Sequence, residues 1–146
     1  MEQFKEAIEN YFRQYEQQFR DGMEGKDVDL DAVTACFADC FVEASPVGVI
    51  CSRNDEKLRQ SIPKGYRFYR DIGASSMTIE HKEVTLLDDY HAMIKVHWLS
   101  GYRKEGKEIS IAFDIFYFLQ YLHGALKMFA YITGDERKVL KEHGLI

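Results

Sequence analysis

No run of lysine or arginine occurs anywhere in the 146 residues, and Asp plus Glu outnumber Lys plus Arg by 24 to 19. With a formal net charge of −5 and a pI near 5.5, the chain offers no surface suited to a phosphate backbone or an anionic membrane. No nucleic-acid partner is expected. Long hydrophobic runs are also missing: the longest, Ile109 to Leu119, is broken by Ser110 and Asp114 and is too short to cross a bilayer. Met1 to Arg20 is studded with Glu, Gln, Lys and Arg and does not read as a signal peptide. The expectation is no membrane and a cytoplasmic location. Cysteine is scarce, and three residues, Cys36, Cys40 and Cys51, are an odd number with no disulfide framework, in keeping with a reducing compartment. Cys36 and Cys40 lie four apart, where two thiols on a helix face could hold a metal, but no second cluster with ligand spacing accompanies them. They are read as reduced core thiols, and neither metal nor cofactor is expected. Low-complexity segments, internal repeats and linkers are absent too, so residues 1–146 are read as a single domain.

What is abundant is aromatic. Ten Phe, nine Tyr and one Trp make up 14% of the residues. A chain of this length buries about two-thirds of the surface its unfolded form exposes. Rings in that number can fill a core, line a pocket for a flat apolar ligand, or cover a subunit interface.

Hydrophobic periodicity divides the chain in two. Phe4, Ala7, Ile8, Tyr11, Phe12, Tyr15, Phe19 and Met23 follow helical spacing, which predicts a long amphipathic first helix ended by Gly22 and Gly25. Asp29 is placed to cap a short second helix carrying Leu30, Val33 and Phe37. The segment "FVEASPVGVIC" from Phe41 to Cys51 mixes β-branched residues with Pro46 and Gly48, and reads as a bent strand or hairpin-like excursion. Asn54 is read as the cap of a third helix whose inner face carries Leu58, Ile62, Tyr66, Tyr69 and Ile72, with Pro63 as a kink or restart and Gly73 as the stop.

After Gly73 the period changes from helix to strand. Four segments, Met77 to Leu87, Tyr90 to Tyr102, Glu108 to Tyr121 and Leu126 to Ile132, follow in series with short turns between them, the pattern of an antiparallel meander. Thr133 and Glu136 are spaced as a capping box for a short C-terminal helix ended by Gly144. Helices first and a sheet afterwards give an α+β layer architecture. Along Glu108 to Tyr121 the odd positions are uniformly apolar and the even ones mix Asp114 with Phe116 and Phe118, so both faces of that strand are covered: one by helices, one by a partner subunit.

This order, with the "FVEASPVGVICSRND" bend, a helix ending "YRFYRDIG" and a last strand and helix "MFAYITGDERKVLKEHGLI", resembles the nuclear transport factor 2-like superfamily, and within it the polyketide-cyclase-like (SnoaL-like) branch. The resemblance covers nearly the whole chain. It implies a curved antiparallel sheet wrapped as a cone around three N-terminal helices, a cystatin-like roll, with a pocket at the open end and frequent dimerisation through the outer sheet face. Family members include ketosteroid isomerases, dehydratases and polyketide cyclases; the isomerases pair an Asp base with a Tyr and a protonated Asp in an apolar site. The spacings of Asp114 and the tyrosines here do not match that isomerase pattern.

Asp114 is the sharpest catalytic candidate, because a carboxylate in an apolar run needs either a partner or a shifted pKa. It is read as a base or hydrogen-bond donor on the pocket face, or alternatively as half of a structural pair with a Lys, Arg or Tyr on an adjacent strand or across a dimer seam. His97 shares a strand face with His91 and Lys95 and would serve as a proton carrier only if a bulge turned it inward. Trp98 lies on the opposite face and is read as lining the cone. Tyr15, Tyr66 and Tyr69 are the helix-borne ring candidates, with Phe116 and Phe118 from the sheet. The expected function is binding of a small hydrophobic molecule with acid–base chemistry; the alternative is a non-catalytic homodimeric association module with a vestigial pocket.

Overall fold

In the computed structural model, which describes residues 2–146, the chain forms α1 (Glu2–Met23), α2 (Leu30–Thr34), β1 (Phe37–Ser45), β2 (Gly48–Arg53), α3 (Glu56–Asp71), β3 (Ala74–Leu86), β4 (His91–Lys104), β5 (Lys107–Leu122), β6 (Ala125–Ile132) and α4 (Glu136–Glu142). α1 buries Phe4, Ile8, Tyr11 and Phe12 at helical spacing and lies against the sheet. α3 crosses it closely because Gly22 leaves room for the Tyr66 ring; a Cβ there would come within 2.5 Å of ring carbons.

Two caps differ from expectation. Asp55, not Asn54, caps α3, accepting from the Leu58 amide at 3.2 Å. Asn54 instead donates its side-chain amide to the carbonyls of Thr34 (2.8 Å) and Phe37 (3.2 Å), tying α2 to the start of β1. At α4 the cap is Asp135, and the expected Thr133–Glu136 box does not form because Glu136 is engaged by Tyr69. α3 runs unbroken through Pro63.

The bend read from Phe41 to Cys51 is a tight hairpin that closes on the pair Ser45 and Gly48. Phe37 begins the strand rather than ending α2. The meander is as expected, and the sheet order is β2-β1-β6-β5-β4-β3. One pairing corrects the expectation of a wholly antiparallel sheet: β1 and β6 run parallel. No tight turn joins them, since α3 and the meander intervene, so nothing local forces the antiparallel sense.

Curvature comes from bulges. The β3–β4 ladder shifts at Ala74/Ser76 and Ile79/His81, and the β5–β6 ladder at Phe118/Leu119. Each shift bends and twists its strand, and the sheet is curved and open. At the second β3 bulge the Ile79 amide donates to Glu16 of α1 at 2.6 Å, clamping the bend to the helix it wraps.

The main core lies between α1 and the concave face, where Ala92, Ile94, Val96 and Trp98 of β4 are fully buried against Ile8 and Phe12. A smaller one, Tyr102, Ile111, Leu140 and Leu145, seats α4. Cys36 is the buried thiol expected, but Cys40 and Cys51 are exposed on the edge hairpin, where few elements cover them. Among the described residues no helix is long and apolar enough to cross a membrane.

Candidate functional site

Strand alternation decides which side chains meet. On β4 the even residues to Trp98 point at α1, and on β5 Phe113, Ile115 and Tyr117 point the same way. Between them and α1, α3 and β1 lies a hollow in two adjoining lobes of about 270 and 280 Å³. Tyr15, Phe19, Phe37, Tyr69 and Tyr131 wall both lobes.

At the floor of the first lobe Trp98 Nε1 donates to the Tyr117 hydroxyl oxygen at 3.0 Å. Tyr117 therefore keeps its own proton to give. The Tyr15 ring stands 5.8 Å from Tyr117 and 6.3 Å from Trp98. Burial pushes both phenols well above their ordinary value.

Two carboxylates stand on the wall of the same lobe, each met by a tyrosine. Tyr131 donates to Glu43 at 2.5 Å, and Glu43 also accepts from Ser52 at 3.1 Å. Tyr69 donates to Glu136 at 2.6 Å. Burial first, and the neighbouring carboxylate second, raise the Tyr69 and Tyr131 phenols far above their usual range. The hollow thus offers phenol donors at its floor and carboxylate acceptors nearer its mouth, in apolar walls where each polar contact counts for more than in water.

Of the residues singled out from sequence, Tyr15, Tyr69 and Trp98 line the first lobe and Tyr66 the second. Asp114, His97, Phe116 and Phe118 do not reach it. They occupy the opposite, outer face, because strand side chains alternate and Phe113, Ile115 and Tyr117 point inward. Asp114 and His97 are register partners. Asp114 Oδ1 lies 2.7 Å from His97 Nδ1, and His97 Nε2 lies 3.2 Å from Glu80. The His81 ring stacks on His97 at 4.9 Å, and Lys95 stands 4.0 Å from both Asp114 and Glu83. The carboxylate in the apolar run is accordingly half of a cross-strand pair. No bulge interrupts β4–β5, so nothing turns His97 inward.

Sequence reasoning missed Glu43, Glu136, Tyr117 and Tyr131. Alternation in "FVEAS" sets Phe41 and Glu43 on one face, a signal that was available; Glu136 was masked by its spacing from Thr133. Among the described residues, no three His, Cys, Asp or Glu side chains are grouped to hold a metal ion.

A sequence profile described as NTF2-like protein (DUF6841) matches residues 5–136. The chain belongs to this NTF2-like family. Its fold matches an NTF2-like protein with a cystatin-like fold from Novosphingobium aromaticivorans, at a TM-score of 0.68 and 12% identity over 97% of this chain and 88% of that one. It also matches a ketosteroid isomerase-like protein from Erwinia carotovora atroseptica (TM-score 0.61, 18% identity, 88% and 92% covered). A putative calcium/calmodulin dependent protein kinase II association domain from Xanthomonas campestris is similar as well (TM-score 0.59, 14% identity, 87% and 84% covered). At these identities the likeness is one of fold. No curated protein matches the chain.

The buried phenols set a pH dependence. Tyr11, Tyr15, Tyr69, Tyr117 and Tyr131 all hold their protons above the ordinary value of 10.0, and burial pushes Tyr66 to about 12. Because the folded values exceed the unfolded ones, their contribution is complete below about pH 10 and is lost as pH rises toward the folded values. An alkaline titration should show these six phenols ionising together as the fold is lost, rather than independently near their ordinary value. Smooth ionisation of all nine tyrosines while circular dichroism stays native would contradict the packing described.

Proposed function

We propose that the chain binds a small, largely hydrophobic molecule in the hollow and acts on it by acid–base chemistry of the isomerase, dehydratase or cyclase type. The observation that supports this is the placing of the free Tyr117 phenol proton and the Glu43 carboxylate in one ring-lined lobe. Tyr117, whose oxygen is held by the Trp98 indole, is oriented to donate to a ligand oxygen on which charge develops. Glu43, fixed by Tyr131 and Ser52, is the acceptor for a proton from the ligand's carbon frame.

The single tryptophan makes the test clean, since one indole N–H signal reports the floor of the hollow. A screen of hydrophobic metabolites should give compounds that raise the melting temperature and move that signal. Glu43→Gln should keep the binding and lose any turnover by about 10²-fold or more. Hits that stabilise the protein without moving the Trp98 signal would refute the reading.

A second reading, association through the outer sheet face in a homodimer, is favoured by a separate observation. Phe118 lies 6.2 Å from Phe129, and Lys95 is 5.8 Å from the Phe116 ring, beside the Asp114–His97 pair, a mixed aromatic and charged surface of the kind interfaces use. Sedimentation of wild type and Phe118→Glu separates it: a dimer converted to monomer supports association, and identical behaviour rejects it.

A further inference from the structure

Gln18 is a buried polar side chain that neither the core nor the proposed chemistry employs. It stands on the inner side of α1, is 8% exposed, and lines the second lobe of the hollow. Its Oε1 faces Cys36 Sγ at 3.8 Å. Among the described residues nothing accepts from its Nε2. A buried donor left unused has lost its water and gained nothing in exchange, which is why such groups are rare and call for a reason.

The surroundings narrow the acceptor it would suit. Val33, Phe37 and Ile62 give the lobe apolar walls. Of the other donors there, Ser61 is committed to the Leu58 carbonyl, Tyr69 to Glu136 and Tyr131 to Glu43, and the Tyr15 and Tyr66 phenols complete the polar lining. No Lys, Arg or His lines either lobe, and the first holds two carboxylates. An anion entering the hollow would meet like charge with no cation to offset it. An uncharged oxygen would meet no like charge and would satisfy the one buried side-chain donor that is left without a partner among the described residues.

We infer that the second lobe is a binding subsite for an uncharged carbonyl oxygen, held by Gln18 Nε2, on a ligand whose apolar body extends into the first lobe. The inference rests on the reading of the hollow as a small-molecule site. It adds selectivity: the ligand is neutral and carries a carbonyl at the end remote from Glu43 and Glu136. Gln18 here is a binding residue and takes no part in proton transfer.

Three probes separate the possibilities: acetophenone, its isostere α-methylstyrene with methylene in place of the carbonyl oxygen, and benzoate. Each is titrated into isotope-labelled protein while the Trp98 indole signal and the Gln18 side-chain amide pair are followed, the latter assigned by its disappearance in Gln18→Met. Acetophenone should bind about fivefold more tightly than α-methylstyrene, the worth of one hydrogen bond to a neutral acceptor, and should alone shift the amide pair. Benzoate should bind more weakly than either. Gln18→Met should erase the preference while leaving α-methylstyrene binding in place, and should raise the melting temperature by a few degrees because an unmet donor has been removed. Equal binding of acetophenone and α-methylstyrene by wild type, or a preference that survives Gln18→Met, overturns the subsite while a responding Trp98 signal leaves the hollow standing. Should none of the three move the Trp98 signal, the small-molecule reading of the hollow falls and takes the subsite with it.

Discussion

Trp98→Ala should cost about 3–5 kcal/mol of unfolding free energy, the range for truncating a large buried ring. Three features put it at the upper end. The side chain is 0% exposed, so the whole ring contributes. It packs 5.7 Å from Phe19 and 6.3 Å from Tyr15, and both of these already border the hollow, so no solid wall can close over the space left behind. Its N–H is also the donor to the Tyr117 oxygen, and removal leaves that buried oxygen without its partner. Trp98→Phe keeps most of the volume and loses the donor, so it should cost less, about 1–3 kcal/mol. Urea denaturation of the three proteins, with slopes compared to check that the unfolded states match, gives both values. Since a domain of this kind has about 5–15 kcal/mol in total, Trp98→Ala is expected to be partly unfolded at 37 °C, a temperature chosen for the assay. A loss below about 1 kcal/mol would mean that the ring is not the floor of the hollow.

The same strand shows what could be read beforehand. That Trp98 and His97 take opposite faces follows from a period of two, a purely local rule, and the structure agrees along the whole of β4. Which face looks at the helices is not local. For β4 the fully apolar side had to be the inner one, but on β5 both sides carry aromatics, and Asp114 was given to the hollow when only Phe113, Ile115 and Tyr117 reach it.

Asp29 caps α2 as expected, but the expected cap of α3 failed for a related reason. Asn54 and Asp55 are both good helix starters, and the choice fell to Asp55 because the Asn54 amide finds two carbonyls, Thr34 and Phe37, on other elements. The carboxylate–phenol pairs of the site were least legible of all. Tyr131 and Glu43 are 88 residues apart, Tyr69 and Glu136 67 apart; they meet only because β6 settles between β1 and β5, and that parallel pairing has no turn to announce it. Element order, by contrast, was sufficient for the family, since the succession of helices, hairpin and meander is what the NTF2-like fold consists of.

Gly73→Ala should be the most damaging of the glycine substitutions, and for a reason that reaches the hollow. Gly73 ends α3 and turns the chain into β3 at φ +91, in a region that residues with a side chain seldom enter, and an added Cβ would stand 2.2 Å from the carbonyl oxygen of Arg103. That oxygen is backbone, held in place because the Arg103 amide donates to Gly73 O at 2.8 Å, so no rotamer change can relieve the collision. The conformational part costs about 1–2 kcal/mol and the displacement of β4 about 1–3 kcal/mol more, together about 2–5 kcal/mol. Gly106→Ala separates the two parts. Gly106 also has a positive φ, +80, but nothing lies within 4 Å of the added Cβ, so it should cost only the conformational part. Because β4 carries Trp98, the Gly73 variant should in addition shift the tryptophan emission, while the Gly106 variant leaves it unchanged. Equal losses in the two variants, or an unmoved emission in the first, would show that the end of β4 yields freely and that the wall of the hollow is not braced at Arg103.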